Sequence, residues 1–367
     1  MIVRELKPDL AQAIPPGGSA LTGADAQPPL WRRAVSQRTR DLAWCSLSPP
    51  LLAHLPDDYS TDAARLAQWP AGVRAAWQTW LAQADPATLP ETIAELSAHA
   101  GAAGAPASRS LRLGRHAERL LHFALRHAPG MDLLAANVPI RRANGHGVQT
   151  LGELDVIWRD PASAETVHWE MAAKFYVMVD GVAGRRAFVG PNLVDRLGDK
   201  LDHIVRRQLP LGLTAEAQAI VGHPVNRSEV YLLGWLFYRD GVLPTGLDAL
   251  GIASDHQHGW WSTLDSWSAR ATEQARHGIR WCRLQRVDWL SGACVPGAAT
   301  ETAASLSQAL AERFADPDQP WRREAPVMIC ELEPPGVGQP DVWTERSRGF
   351  VVPPGWETRA LARATQP

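Results

Sequence analysis

Val167-His-Trp-Glu-Met-Ala-Ala-Lys-Phe-Tyr-Val177 is the stretch that decides the fold. Read with the period-two alternation of a β-strand, Val167, Trp169, Met171, Ala173, Phe175 and Val177 form an unbroken apolar face. His168, Glu170, Ala172, Lys174 and Tyr176 form the opposite one. Burial of a continuous apolar side fixes the register of a strand, so the direction of its polar side is fixed too. The preceding strand, Thr150–Trp158, sets Glu153 and Asp155 on one face and Leu154, Val156 and Trp158 on the other. Asp155, Glu170 and Lys174 on neighbouring strands are what a hard divalent cation and a hydrolytic water require. Mg²⁺ (or Mn²⁺) takes carboxylate and carbonyl oxygens plus waters, here from Asp155, Glu170 and a strand carbonyl such as that of Met171. Such an ion offsets charge on a phosphoryl group and lowers the pKa of a bound water, and a lysine alongside steadies either.

Upstream, Leu111–His127 reads as a helix, with Leu113, Ala117, Leu120, Leu121 and Ala124 on one side. It carries Glu118, which either pairs with Arg115 or His122 one turn away or orients a water at the acids. Downstream, Gly190-Pro-Asn192 reads as a turn opening a helix that runs to about Gln208. Arg196, Lys200, His203 and Arg207 share a stripe on it, which suits a phosphate backbone. Interleaved Asp195, Asp199 and Asp202 suit a mixed-charge solvated face instead. Arg115, His168, Arg196, Lys200 and Gln208 are the candidate substrate-binding residues. With a final apolar strand at Glu229–Tyr238, the order is helix, three strands, helix, strand, an α/β core with helices covering the sheet.

Four segments follow: a leader (1–30), a helical N-terminal region with linker (31–108), the α/β core (109–240) and a C-terminal α+β extension (241–367). Residues 34–82 read as helical, with apolar stretches such as Ala63–Trp69 and Val73–Leu81 separated by Pro and Asp breakers, and Ala84–Ser108 as a linker rich in Pro, Gly and Ala with room for one short helix. In the extension, Trp260–His277 reads as a helix, with strands at Gly278–Trp289, Pro326–Leu332 and Arg348–Pro354. The pattern suits either an extended sheet or a separate lobe.

The chain has 367 residues, with 37 Lys+Arg against 39 Asp+Glu, a net charge of -2 and 45% hydrophobic residues. That balance excludes wholesale disorder and binding of nucleic acid by bulk charge, so any such contact needs a local basic patch. Only Lys7, Lys174 and Lys200 are lysines; every other cation is arginine. A lysine inside an apolar strand therefore points to a compact point charge. Cys45, Cys282, Cys294 and Cys330 lie far apart, with no zinc-like pairing, which fits a reducing, cytoplasmic setting. The charged N-terminus does not read as a signal peptide, and the apolar run Val230–Tyr238 is far short of the roughly 20 residues that span a bilayer. Trp260-Trp261 offers a stacking platform for bases or, more ordinarily, core packing, and His146 sits in a glycine turn. No phosphate loop or nucleophile triad is found, so nucleotide-driven and acyl-transfer chemistry have no support.

Glu118 on the first helix, Asp155 on the second strand, and Glu170 with Lys174 on the third resemble the PD-(D/E)XK nuclease superfamily, whose core is α-β-β-β-α-β with a mixed sheet. More narrowly, the chain is similar to a bacterial domain-of-unknown-function family, number 1853. The matching segments are Arg40-Asp-Leu-Ala-Trp, Ser48-Pro-Pro, His168–Tyr176, Phe188-Val-Gly-Pro-Asn, Asp195-Arg-Leu, Lys200-Leu, Trp289-Leu and Arg348-Gly-Phe-Val-Val-Pro, within residues 31–357. The resemblance implies a nuclease fold with Glu118, Asp155, Glu170 and Lys174 as catalytic residues, Mg²⁺ on Asp155 and Glu170, and nucleic acid as partner. One departure matters. The superfamily lysine follows its acid by two residues, whereas Lys174 follows Glu170 by four, about 13 Å along a strand rather than about 6.6 Å. Ala172 stands where the nearer acid belongs. Either Glu170 reaches the metal from one pleat further, or the fold only binds nucleic acid or a protein partner.

Overall fold

The computed structural model describes residues 28–59, 64–96, 113–144, 147–336 and 341–366. The leader up to residue 27, the linker from residue 97 on, the residues after it up to 112, and His146 lie outside the described residues. A mixed sheet runs through the rest. Its main path is β2 (Asp132–Asn144), β3 (Gly147–Arg159), β4 (Thr166–Met178), β6 (Arg227–Arg239), β7 (Gln257–Thr263), β11 (Val342–Val352), β10 (Val327–Glu333) and β8 (Arg280–Arg283), in that spatial order. Three short strands attach at its flanks: β1 (Ala64–Leu66) on β6, β5 (Phe188–Val189) on β4, and β9 (Cys294–Pro296) on β11. β2, β3 and β4 are antiparallel neighbours, whereas β4, β6, β7 and β11 run parallel. The C-terminal residues thus extend the sheet instead of forming a lobe of their own.

β4 keeps the expected alternation. Val167, Trp169, Met171, Phe175 and Val177 enter the larger core, and Ala172 and Tyr176 enter the core on the other face. The first core is roofed by α3 (Leu113–His127), with α1 (Gln37–Leu47) and α2 (Val73–Gln83) beside it. Trp169 anchors it, stacked on Tyr231 at 5.0 Å and edge-on to Trp158 at 5.2 Å. Aromatic pairs of this kind contribute about 0.5–1.5 kcal/mol each beyond area burial. The second core is roofed by α4 (Leu197–His203) and the turns after it, whose Leu197, Leu201, Ile204 and Leu209 pack on Leu232 and Leu236. Among the described residues no helix is long and apolar enough to cross a membrane.

Four expectations change. Ala64–Leu66 is a strand and not part of a helix, because it finds a partner in Ser228–Val230 at the edge of β6. The helix expected from Asn192 begins at Leu197, since residues 190–196 form a tight turn in which the Gly190 N–H donates to the Asp195 carbonyl at 2.8 Å. Trp260 and Trp261 lie in β7, buried, with the helix starting only at Leu264 behind its Thr263 cap, so they form no stacking platform. Leu154 joins Ile140, Ile157, Ala217 and Val225 instead of sharing a core with Val156 and Trp158. β3 pairs with β4 only over Val156–Arg159, and its first half continues as a two-stranded ribbon with β2, where twist is larger.

Candidate active site at a gap in the sheet

The β3–β4 ladder ends at Val156–Trp169, and β5 joins β4 only at Val177–Val189. Between them Glu170–Tyr176 has no strand neighbour on that side. Side chains satisfy the backbone groups this opening frees: the Met171 N–H donates to Asp155 Oδ2 at 3.0 Å, and His122 Nε2 lies 3.2 Å from the Asp155 carbonyl. A cleft of about 860 Å³ occupies the gap. Its walls carry Arg115 and Glu118 from α3, Lys174 from β4, Asp195 from the preceding turn, Lys200 from α4, and Arg286.

The structure brings Glu118, Asp155, Glu170 and Lys200 together. Asp155 and Glu170 are within hydrogen-bonding reach of each other, and each acid is influenced by the Lys200 ammonium. Glu170 is 1% exposed, and burial, reinforced by the Asp155 charge, pushes its carboxyl up to about 9. Burial and then Asp155 likewise bring Glu118 to about 7. Asp155 is raised by burial, a shift opposed by the Met171 N–H. Lys200 is lowered by burial, while Glu170 and Asp155 favour its charged form and Lys174 opposes it.

Gln208 ties this group together. Its Nε2 donates to Glu170 Oε1, and its Oε1 accepts from Lys200 Nζ at 3.1 Å. It reaches there because α4 continues into a π turn, Ile204–Gln208, before a last α turn at Leu209–Gly212. His168 is wholly buried below Glu170, with Nδ1 3.2 Å from Ser228 Oγ and Nε2 3.8 Å from Glu170 Oε2. Burial drops its pKa to about 4, so it is a neutral support that substrate does not touch.

The remaining candidates stand apart. Lys174 lines the cleft, but its Nζ donates to Asp195 Oδ2 at 2.7 Å, and Tyr176 holds the same oxygen at 3.4 Å. The lysine beside the acids is therefore Lys200, with Lys174 close enough to repel it. Arg196 turns away: it is buried, pairs with Asp199 at 2.7 Å and donates to carbonyls at the C-terminal end, Arg363 and Gln366. Arg115 is exposed at the mouth. Asp195 and Arg286 carried no periodic signal, though for the Lys200 role the rarity of lysine was one: two of the chain's three lysines line this cleft.

A family model described as Domain of unknown function (DUF1853) matches residues 40–352. The chain belongs to this family. No curated protein and no solved structure matches it. Arg40, where the DUF1853 match begins, and Arg348, shortly before it ends, form a buried clamp. Arg40, on α1, donates to the Gly292 carbonyl at 2.8 Å, and Arg348, on β11, donates to the Trp289 and Ser291 carbonyls while pairing with Glu345. Both ends of the DUF1853 region thereby grip the loop that brings Arg286 to the cleft.

Proposed function

We propose that this DUF1853 protein is a Mg²⁺-dependent, nuclease-like phosphodiesterase acting on nucleic acid, built on a PD-(D/E)XK-like core. The observation that carries the reading is the convergence of Glu118, Asp155, Glu170 and Lys200, of which Glu118 and Lys200 line the cleft with Lys174, while Glu170 is buried behind that wall. Apart from the two-residue β5 between β4 and α4, the order α3-β2-β3-β4-α4-β6 supports this reading. The donor set suits a hard ion. Glu170 Oε2 is buried without a hydrogen-bond partner, and the Asp155 carboxyl adjoins the Glu170 carboxyl. Among the described residues no three His, Cys, Asp or Glu side chains form a cage, so an ion on Asp155 and Glu170 would need waters to complete its shell. Bound there, the ion would neutralise phosphoryl charge and acidify a water. Glu118, poised near 7, takes the proton of the attacking water at neutral pH. Lys200 offers its ammonium to the phosphoryl oxygens, Lys174 stands on the wall paired with Asp195, and Arg115 meets a neighbouring phosphate. Four free cysteines fit a cytoplasmic setting.

A second reading, a silent module that binds nucleic acid or a protein, is favoured by one feature: Glu170 is held neutral up to about 9 and already bonded to Gln208. Incubation with mixed DNA and RNA in Mg²⁺ or Mn²⁺ decides between them. Cleavage lost in Asp155→Asn and Lys200→Ala supports hydrolysis. Cleavage unchanged in both removes it, and retention of nucleic acid without cleavage in any metal favours the silent module.

A further inference from the structure

We propose that Arg115 and Arg286, which line the cleft from different elements, grip backbone phosphates of the same strand, so that the C-terminal region contributes directly to substrate binding. This rests on the nucleic-acid reading above. Arginines in this chain are commonly held by acids: Arg227 by Asp160 and Glu229, Arg239 by Asp180 and Glu357, Arg348 by Glu345. Arg115 and Arg286 are different. Both are exposed, both line the cleft, and among the described residues neither makes an ion pair. An unpaired guanidinium has its whole fork of donors free for phosphate oxygens.

Arg286 is also held in place before any ligand arrives. Its guanidinium lies over Trp289, 5.8 Å from the ring centroid, and that indole is wedged edge-on against Phe175 at 5.4 Å and Phe350 at 5.3 Å. Arg348 and Arg40 fix the following backbone from behind. Arg115 is anchored differently, three residues before Glu118 on α3. The two cations therefore reach the cleft that Lys174 and Lys200 line from elements far apart in sequence. A backbone crossing the gap would lay one phosphate on the lysines and its neighbours on the arginines.

The test is equilibrium binding of fluorescent single-stranded and duplex DNA across a salt series, in EDTA so that no divalent ion takes part. Arg115→Gln and Arg286→Gln should each lower the slope of log affinity against log salt by about 0.7 on single strands or about 0.9 on duplex, the worth of one phosphate contact. Arg126→Gln, on α3 but outside the cleft, should leave the slope at the wild-type value. A wild-type slope in Arg286→Gln overturns the proposal, as does an equal loss in Arg126→Gln. Failure of the hydrolase reading looks different: no cleavage by wild type in any metal, with the slope losses intact.

Discussion

Glu170 and Glu118 hold protons in the folded chain that they would release when unfolded. Burial raises Glu170 from 4.5 to about 9 and Glu118 from 4.5 to about 7. Between those limits the native state binds more protons than the unfolded one, so stability falls as pH rises. The metal-free protein should therefore lose thermal stability from about pH 5 to pH 9, steepest below 7 where both groups contribute. Scanning calorimetry across that range checks it. Glu170→Gln keeps an oxygen for Gln208 and offers Asp155 an N–H, so its profile should flatten and its melting temperature should exceed wild type above about pH 8, while divalent-cation binding disappears. A mutant less stable than wild type at pH 9 would show that Glu170 is not the strained group. Substituting Asp155 needs more care. Asn retains an acceptor for the Met171 N–H, whereas Ala leaves that buried donor unpaired at about 1–3 kcal/mol.

At the scale of single elements, the π turn Ile204–Gln208 decides how α4 meets β4. Gln208→Ala removes the link between Glu170 and Lys200 and should weaken Mn²⁺ binding about 10–100-fold, as loss of an orienting partner does. Titration monitored by Mn²⁺ paramagnetic resonance reads this directly, and unchanged affinity would assign the turn no part in the site. Elements also differ in how readable they are. β4 was legible because its apolar face is uninterrupted, and burial alone fixes where Glu170 points. Lys200 was placed on a phosphate-facing stripe by a 3.6-residue reading, yet its amine turns to the acids. The helix starts five residues later than its turn suggests, and a π turn has no residue-type signature. β1 leaves no local signal because its three residues find their strand partner in β6, a pairing no local pattern contains.

For the whole molecule, one sheet joins regions that the sequence divides. Whether the residues after 241 extend that sheet depends on β7 lying parallel to β6, a contact that alternation within either strand does not encode. The Arg40 and Arg348 clamp closes the structure end to end. Arg348 is wholly buried, so Arg348→Ala leaves Glu345 an uncompensated buried acid and should cost about 3–5 kcal/mol in urea denaturation. A loss under about 1 kcal/mol would mean that water replaces the guanidinium at little cost. The proposed function turns on the gap in the sheet and on the acids there sharing one ion. Calorimetric titration of Mg²⁺ at pH 8, repeated in buffers of different ionisation enthalpy, tests that claim most directly. One site per chain, proton release on binding, and loss of the heat in Asp155→Asn and Glu170→Gln are predicted. Absence of binding, or binding indifferent to both substitutions, would contradict it.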